Sequence, residues 1–324
     1  MSELHKFLFE GLPVRGMLVR LTDSWRQVLA RRGDAGNSFA PPVRALLGEM
    51  AAAGVLMQGN LEFNGALILQ AYGDGPVKLA VAEVQADLAF RVTATVVGEV
   101  AADARLAAML NVHGQGRCAI TLDPADKRAG LQPYQGVVAL HGDRREPLQN
   151  VSEVLEHYML QSEQLDTRMI LAADDRIAAG LLIQRVPVQG AGNLQGGARN
   201  EDLIGLDEAY NRIALLAGTL TREELLTLDA PTILRRLFWE EPLRRFEPRV
   251  GTSGPRFECR CSRERVGGML KGLGRDEIDG IVVEQGRVEI GCEFCGLKYH
   301  FDPVDVGELF TPMRDQPPGS SARH

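Results

Sequence analysis

Four cysteines stand as two tight pairs in the last fifth of the sequence: Cys259 with Cys261, then Cys292 with Cys295. The spacing is Cys-x-Cys, about thirty residues, then Cys-x-x-Cys. Thiolate sulfur is a preferred ligand of structural zinc, and each short turn carrying two cysteines supplies one edge of a tetrahedron. The same closeness lets each pair oxidise to a local disulfide once no metal holds the sulfurs. The pattern is therefore open to structural metal, to thiol redox chemistry, or to both in turn.

The elements that must position these sulfurs are short. Cys-x-Cys leads into a predicted helix over 262–273, ended by Gly272 or Gly274. A second helix is predicted at 276–284, then a hairpin at 288–291 and 297–301 with Cys-x-x-Cys at its turn. A piece of about fifty-five residues buries little apolar surface by itself, so a metal is expected to be part of its fold. His300 lies near Cys295, but four thiolates already complete a tetrahedron. Cys118 falls in a predicted strand, 117–122, and reads as a buried small hydrophobe.

The composition narrows the class. With 324 residues, 45% hydrophobic and 24% charged, the chain has the make-up of a folded protein of two or three domains. Its formal charge of −7 argues against coating nucleic acid, which needs a cationic surface. The opening residues lack the apolar core of a signal peptide, and no apolar run is long enough to span a bilayer. A cytoplasmic location is expected, where paired cysteines are more often ligands or redox centres than structural disulfides.

Before the cysteines the sequence reads as α+β, with a largely antiparallel sheet. Strands are predicted at 17–22, 66–72, 77–84, 88–97, 117–122, 135–141, 168–173 and 178–186, and a helix at 43–57. Asn150 and Glu153 form a capping box for a helix over 151–164 whose inner face carries Val151, Val154, Leu155 and Tyr158. Four glycines within 189–197 mark a joint. Beyond it lie an amphipathic helix at 207–217, a capping box at Thr221 and Glu224, and a helix opened by Pro231. Residues 231–249 mix apolar side chains with Arg235, Arg236, Arg244, Arg245 and Arg249. This fits a docked amphipathic helix with a solvated basic face, or a single-stranded nucleic-acid surface. The tail after 312 is rich in Pro, Gly and Ser and is expected to be disordered. No serine or cysteine nucleophile motif accompanies His113 or His141, so no enzyme is indicated.

Phe257, Cys259, Cys261, Val266, Leu270, Leu273 and Gly274, followed by Cys292, Cys295, Tyr299 and Phe301, resemble the zinc module of the heat-shock protein 33 family. Arg15-Gly16, Tyr158 with Ser162-Glu163-Gln164, and Gly180 to Gln184 with Pro187 extend the resemblance over nearly the whole chain. Two departures stand out: Asp166 replaces a usual proline, and 31–42 is longer and richer in Gly and Pro. The resemblance implies an α+β core at 1–199, a helical linker at 200–255, a zinc-binding redox-switch module at 256–312, and a tail at 313–324.

It further implies an ATP-independent holdase for unfolding or oxidised client proteins, dormant when reduced and active as an oxidised homodimer. One Zn²⁺ per chain is expected on Cys259, Cys261, Cys292 and Cys295. The expected disulfides are Cys259–Cys261 and Cys292–Cys295, since pairing within each motif needs little rearrangement of the chain. Two other classes compete. A zinc-containing nucleic-acid binder would use 235–249 together with Arg260, Arg263 and Arg265. A thiol oxidoreductase would use Cys-x-x-Cys catalytically and hold no zinc at rest.

Overall fold

The structure, a computed structural model, describes residues 1–126, 132–186 and 200–311, with the backbone alone for 200–207. The glycine-rich joint, Pro187 and the tail lie outside these residues. Two compact units are present, one of residues 1–30 and 38–258, the other of residues 31–37 and those from Cys259 onward.

The chain opens with the hairpin β1 (Glu3–Phe9) and β2 (Val14–Leu21), then α1 (Asp23–Asp34), of which residues 31–34 belong to the second unit, and α2 (Pro41–Asn60). A meander follows: β3 (Gly65–Tyr72), β4 (Val77–Gln85) and β5 (Ala89–Val96). Next come α3 (Leu106–Leu110), β6 (Arg117–Pro124), β7 (Tyr134–Ala139), α4 (Val151–Glu163), β8 (Thr167–Ala173) and β9 (Ala178–Arg185). After the joint come α5 (Asn200–Gly218), α6 (Arg222–Thr227), α7 (Ala230–Phe238), β10 (Leu243–Arg245), β11 (Arg249–Val250) and β12 (Arg256–Phe257).

The strands form two six-stranded sheets. One runs β10-β1-β2-β9-β8 with β11 also on β1; the other runs β12-β5-β4-β3-β6-β7. Every pairing in them is antiparallel except β12 on β5. The fold class is α+β with largely antiparallel sheets, as the strand spacing predicts.

Helix α2 packs against strands of both sheets. Apolar and small residues dominate its sequence, with Arg44 and Glu49 its only charges, and most of its length is buried. A helix without a polar face belongs inside a core, and its small residues, Ala51, Ala52 and Ala53, let the sheet strands come close. Gly16 serves the same end, because a Cβ there would lie 2.2 Å from the Phe7 ring directly across the β1–β2 ladder.

Several residues of the family-like runs hold this scaffold together. Gln184 is fully buried; its Oε1 accepts from Arg15 Nη2 at 2.6 Å and from Asn60 Nδ2 at 2.8 Å, while its Nε2 donates to Thr167 Oγ1 at 2.9 Å. Every polar atom of that amide thus has a partner, as burial demands. Gln164 ends α4 in the left-handed region at φ 55°, and Glu163 accepts from the Tyr158 hydroxyl at 2.7 Å. Asp166, the departure from the family pattern, sits 3.3 Å from the Arg185 guanidinium.

A second apolar cluster lies on the first sheet. Phe7, Phe9, Val14, Leu18, Leu181 and Ile183 pack with Ile213, Leu225, Ile233, Leu234 and Phe238 of α5–α7. The predicted cap at Thr221 is in place, its Oγ1 accepting from the Glu224 N–H, and α7 has a cap of its own in Asp229, whose Oδ1 accepts from the Thr232 N–H. Past Phe238 the chain leaves helix. Leu243–Arg245 and Arg249–Val250 pair with β1, and Arg256–Phe257 pairs with β5. The free hydrogen-bonding edges of β1 and β5 take up this backbone, an option that an amphipathic reading of 231–249 does not register.

Candidate metal centre

The second unit is small. It contains α8 (Arg263–Leu273), α9 (Arg275–Gln285), the hairpin β13 (Val288–Gly291) and β14 (Lys298–Phe301), and α10 (Pro303–Phe310). Ser262 caps α8 by accepting from the Arg265 N–H at 3.2 Å. Gly274, at φ 95°, ends it. The sequence reading lacks α10, yet its signal is present. Asp302 accepts from the Asp305 N–H, Asp305 returns the bond to the Asp302 N–H, and Pro303 opens the first turn. The apolar core of the unit is five buried side chains: Leu270, Ile278, Val288, Phe301 and Val306.

Within it the four predicted cysteines converge. Cys259 and Cys261 sit just ahead of the Ser262 cap, while Cys292 and Cys295 occupy the β13–β14 turn. That turn is closed by the Gly296 N–H to the Cys292 carbonyl at 2.7 Å and the Cys292 N–H to the Leu297 carbonyl at 2.8 Å. All four sulfurs lie within 4.8 Å of one another. Cys259 Sγ is 3.4 Å from Cys261 Sγ and 3.6 Å from Cys292 Sγ, and Cys261 Sγ is 3.4 Å from Cys295 Sγ. A zinc tetrahedron with Zn–S bonds near 2.3 Å has sulfur–sulfur edges of about 3.8 Å, so the donor set fits one tetrahedral ion. Contacts across the two motifs are as short as the contact within Cys-x-Cys, and no cysteine is in a disulfide.

The surroundings make the sulfurs unequal. Cys292 is pulled down to about 4, first by the hydrogen bond from the Cys259 thiol and further by the backbone N–H groups of Cys295 and Phe294. Its partner Cys259 is raised because it keeps the shared proton, with burial adding to this. Burial pushes Cys295 up to about 11. The Tyr299 phenol is raised by burial and by its hydrogen bond to Cys261. A divalent ion would hold all four cysteines as thiolates.

The remaining candidates separate from the cluster. His300 is exposed on β14, with Nδ1 3.3 Å from Glu289 Oε2. Cys118 is buried in β6, and desolvation lifts its thiol to about 12, the state of an inert core cysteine. His141 Nδ1 lies 3.0 Å from the Gly142 carbonyl, and the His113 N–H donates to Asp74. Three of the linker arginines have partners of their own. Arg236 pairs with Glu224 at 2.5 Å, Arg249 donates to the Ser253 carbonyl, and Arg244 lies over the Phe246 ring.

An antiparallel α+β core bearing docked helices, together with a small unit whose four cysteines could hold a metal ion, is the architecture that the comparisons have to match. They give that architecture its family. The family model described as "Hsp33 protein" matches residues 2–302. The 33 kDa chaperonin of Chromobacterium violaceum is 45% identical over 310 residues, 95% of this chain and 94% of the relative. That of Methylobacillus flagellatus is 42% identical over 324 residues, 100% of this chain and 99% of the relative. The crystal structure of the Thermotoga maritima 33 kDa chaperonin superposes with a TM-score of 0.71 at 20% identity, covering 95% of this chain and 98% of that one, a likeness of fold. The chain belongs to the Hsp33 chaperone family.

Proposed function

We propose that the chain is a redox-switched, ATP-independent holdase whose resting form carries one Zn²⁺ on Cys259, Cys261, Cys292 and Cys295. The convergence of these four sulfurs within 4.8 Å is the observation that carries the reading. When bound, zinc would hold four thiolates in a closed tetrahedron and supply folding free energy to a unit with a very small core. The chain's own sulfurs perform the switch. Each pair gives up two electrons to form a disulfide, and a peroxide that takes them up with two protons leaves as two waters. Cys259–Cys261 and Cys292–Cys295 are the proposed pairs. The short contacts across the motifs do not choose between pairings, so the choice rests on chain proximity.

Loss of the thiolates removes the ligands, and the C-terminal unit loses its main source of stability. The linker is next to respond. Its helices α5–α7 cover the apolar face made by Phe7, Phe9, Leu18 and Leu181, and undocking exposes both surfaces together. Contiguous apolar surface of that kind captures unfolding chains. In this scheme residues 1–199 act as core, 200–255 as linker and 256–312 as switch, the active form is a homodimer, and the setting is the reducing cytoplasm.

The test is a metal and thiol count on the full chain against added peroxide, read alongside suppression of client aggregation. Reduced protein is expected to hold one zinc and five thiols and to be inactive. Oxidised protein is expected to hold no zinc and one thiol, that of Cys118, and to suppress aggregation. Activity that still depends on oxidant after all four Cys→Ser changes would sink the scheme.

A further inference from the structure

The turn that ends α1 gives the cysteine cluster a partner that lies far away in sequence. Residues 31–37 belong to the same compact unit as the cysteines. They are not a loose insertion. The Ala35 N–H donates to the Arg31 carbonyl at 3.3 Å, Gly36 to Gly33 at 2.9 Å, and Asn37 to Arg32 at 3.0 Å, with Gly36 at φ 71°. The turn is pressed against the Cys292–Cys295 knuckle. A Cβ on Gly296 would lie 2.5 Å from the Ala35 Cβ, so this glycine is required by close approach as well as by its φ of 75°.

At this contact Arg32 Nη1 donates to the main-chain carbonyl of Glu293 at 2.5 Å. That carbonyl and the Phe294 N–H are the two ends of one peptide, and the Phe294 N–H is directed at the Cys292 sulfur. A cation on the carbonyl end polarises the peptide and strengthens the N–H···S bond at the other end. Burial lowers the pKa of Arg32, while Cys292, Cys295 and Glu293 pull it the other way through their charges.

We propose that Arg32 is a positioning residue for the four-cysteine site, clamping the Glu293–Phe294 peptide so that the Cys292–Cys295 edge keeps its metal-binding arrangement. The inference rests on the reading of the cluster as a zinc site. Four thiolates around one divalent ion leave excess negative charge, and a guanidinium at the outer edge offsets part of it. Outer partners of metal ligands typically contribute 10–100-fold in affinity.

Zinc transfer from the reduced full-length protein to a chromogenic chelator tests this in wild type, Arg32→Gln and Arg32→Lys, with the thiolate charge-transfer band of the Co²⁺-loaded forms read in parallel. Arg32→Gln is expected to hold zinc roughly tenfold more weakly at an unchanged charge-transfer intensity, and Arg32→Lys to restore most of the loss. If Arg32→Gln equals wild type, or Arg32→Lys is no better than Arg32→Gln, the inference falls and the zinc site stands. Wild-type protein that takes up no zinc overturns both readings, and the wild-type arm reveals this without either variant. Arg32 is only half-buried at a helix end, and matching thermal melts of the three proteins confirm that the fold is kept.

Discussion

The chain buries apolar surface in two places and by two means. In residues 1–126, 132–186 and 208–258, two antiparallel sheets and the apolar helix α2 build one large cluster, and α5–α7 add a second on the outer face. Residues 259–311 have a core of five buried side chains and a cluster of four sulfurs. Side-chain packing is permanent under any redox condition; a cluster of thiolates is not. The difference teaches where a switch can be placed. It belongs in the region whose cohesion depends on a group that chemistry can remove.

Metal removal is the strongest way to break that comparison. If the site holds zinc as proposed, stripping it at neutral pH takes roughly 10–16 kcal/mol of apparent folding free energy from the C-terminal unit. Limited proteolysis mapped by mass should cut first beyond Glu258 and then within 200–258, leaving α2 intact. Cuts in α2 at the same rate would mean that the regions do not differ.

A smaller effect sharpens the boundary of the permanent core. Phe238 is 2% exposed, with its ring edge-on to Phe9 at 5.0 Å between centroids. Phe238→Ala is expected to cost about 3–5 kcal/mol by leaving a cavity under α7. It should lower the peroxide dose needed for aggregation suppression while zinc stoichiometry stays the same. An unchanged dose response would separate the linker from the switch.

The smallest of the three concerns Glu49 on α2. Burial raises its carboxyl from 4.5 to about 7, with Arg222 at the start of α6 opposing the shift. Arg222 Nη1 lies 3.9 Å from Glu49 Oε1. Because the folded pKa lies above the unfolded one, the unfolded chain ionises first as pH rises. The stabilising contribution is thus present below pH 4.5 and lost on the way to pH 7, up to about 3 kcal/mol. Urea midpoints of Glu49→Gln and wild type should diverge from pH 5 to pH 8, the variant being the more stable at pH 8. Parallel profiles would show that α2 tolerates the charge.

Much of this was legible before any coordinates. The Cys-x-Cys and Cys-x-x-Cys spacing found the cluster, the strand periods at 66–72 and 77–84 found β3 and β4, and the Thr221–Glu224 capping box placed α6. The edge strands β10 and β11 were not legible, because arginine-rich pieces of two or three residues carry no period of their own and are shaped by the vacant edge of β1. Arg32 was hidden for another reason. The helix α1 is itself absent from the predicted elements, although Asp23 in its first turn and Arg31 and Arg32 in its last complement the helix ends. The group Arg32 meets, however, is a main-chain carbonyl 261 residues away, and backbone atoms leave no trace in side-chain patterns.

The two-residue strand β12 has a consequence of its own. Phe257 is paired with Phe90, and the Glu258 N–H donates to the Phe90 carbonyl at 3.0 Å, so the very next residue is the first cysteine. A melted C-terminal segment would be a leash fastened at a sheet edge, reaching on the order of 40 Å for some fifty residues of flexible chain. Its cysteines would stay at high local concentration whatever the dilution of the protein. At a fixed supply of reductant and of the metal ion proposed for the site, recovery of the reduced fold would therefore be first order in the chain, independent of how many copies are present.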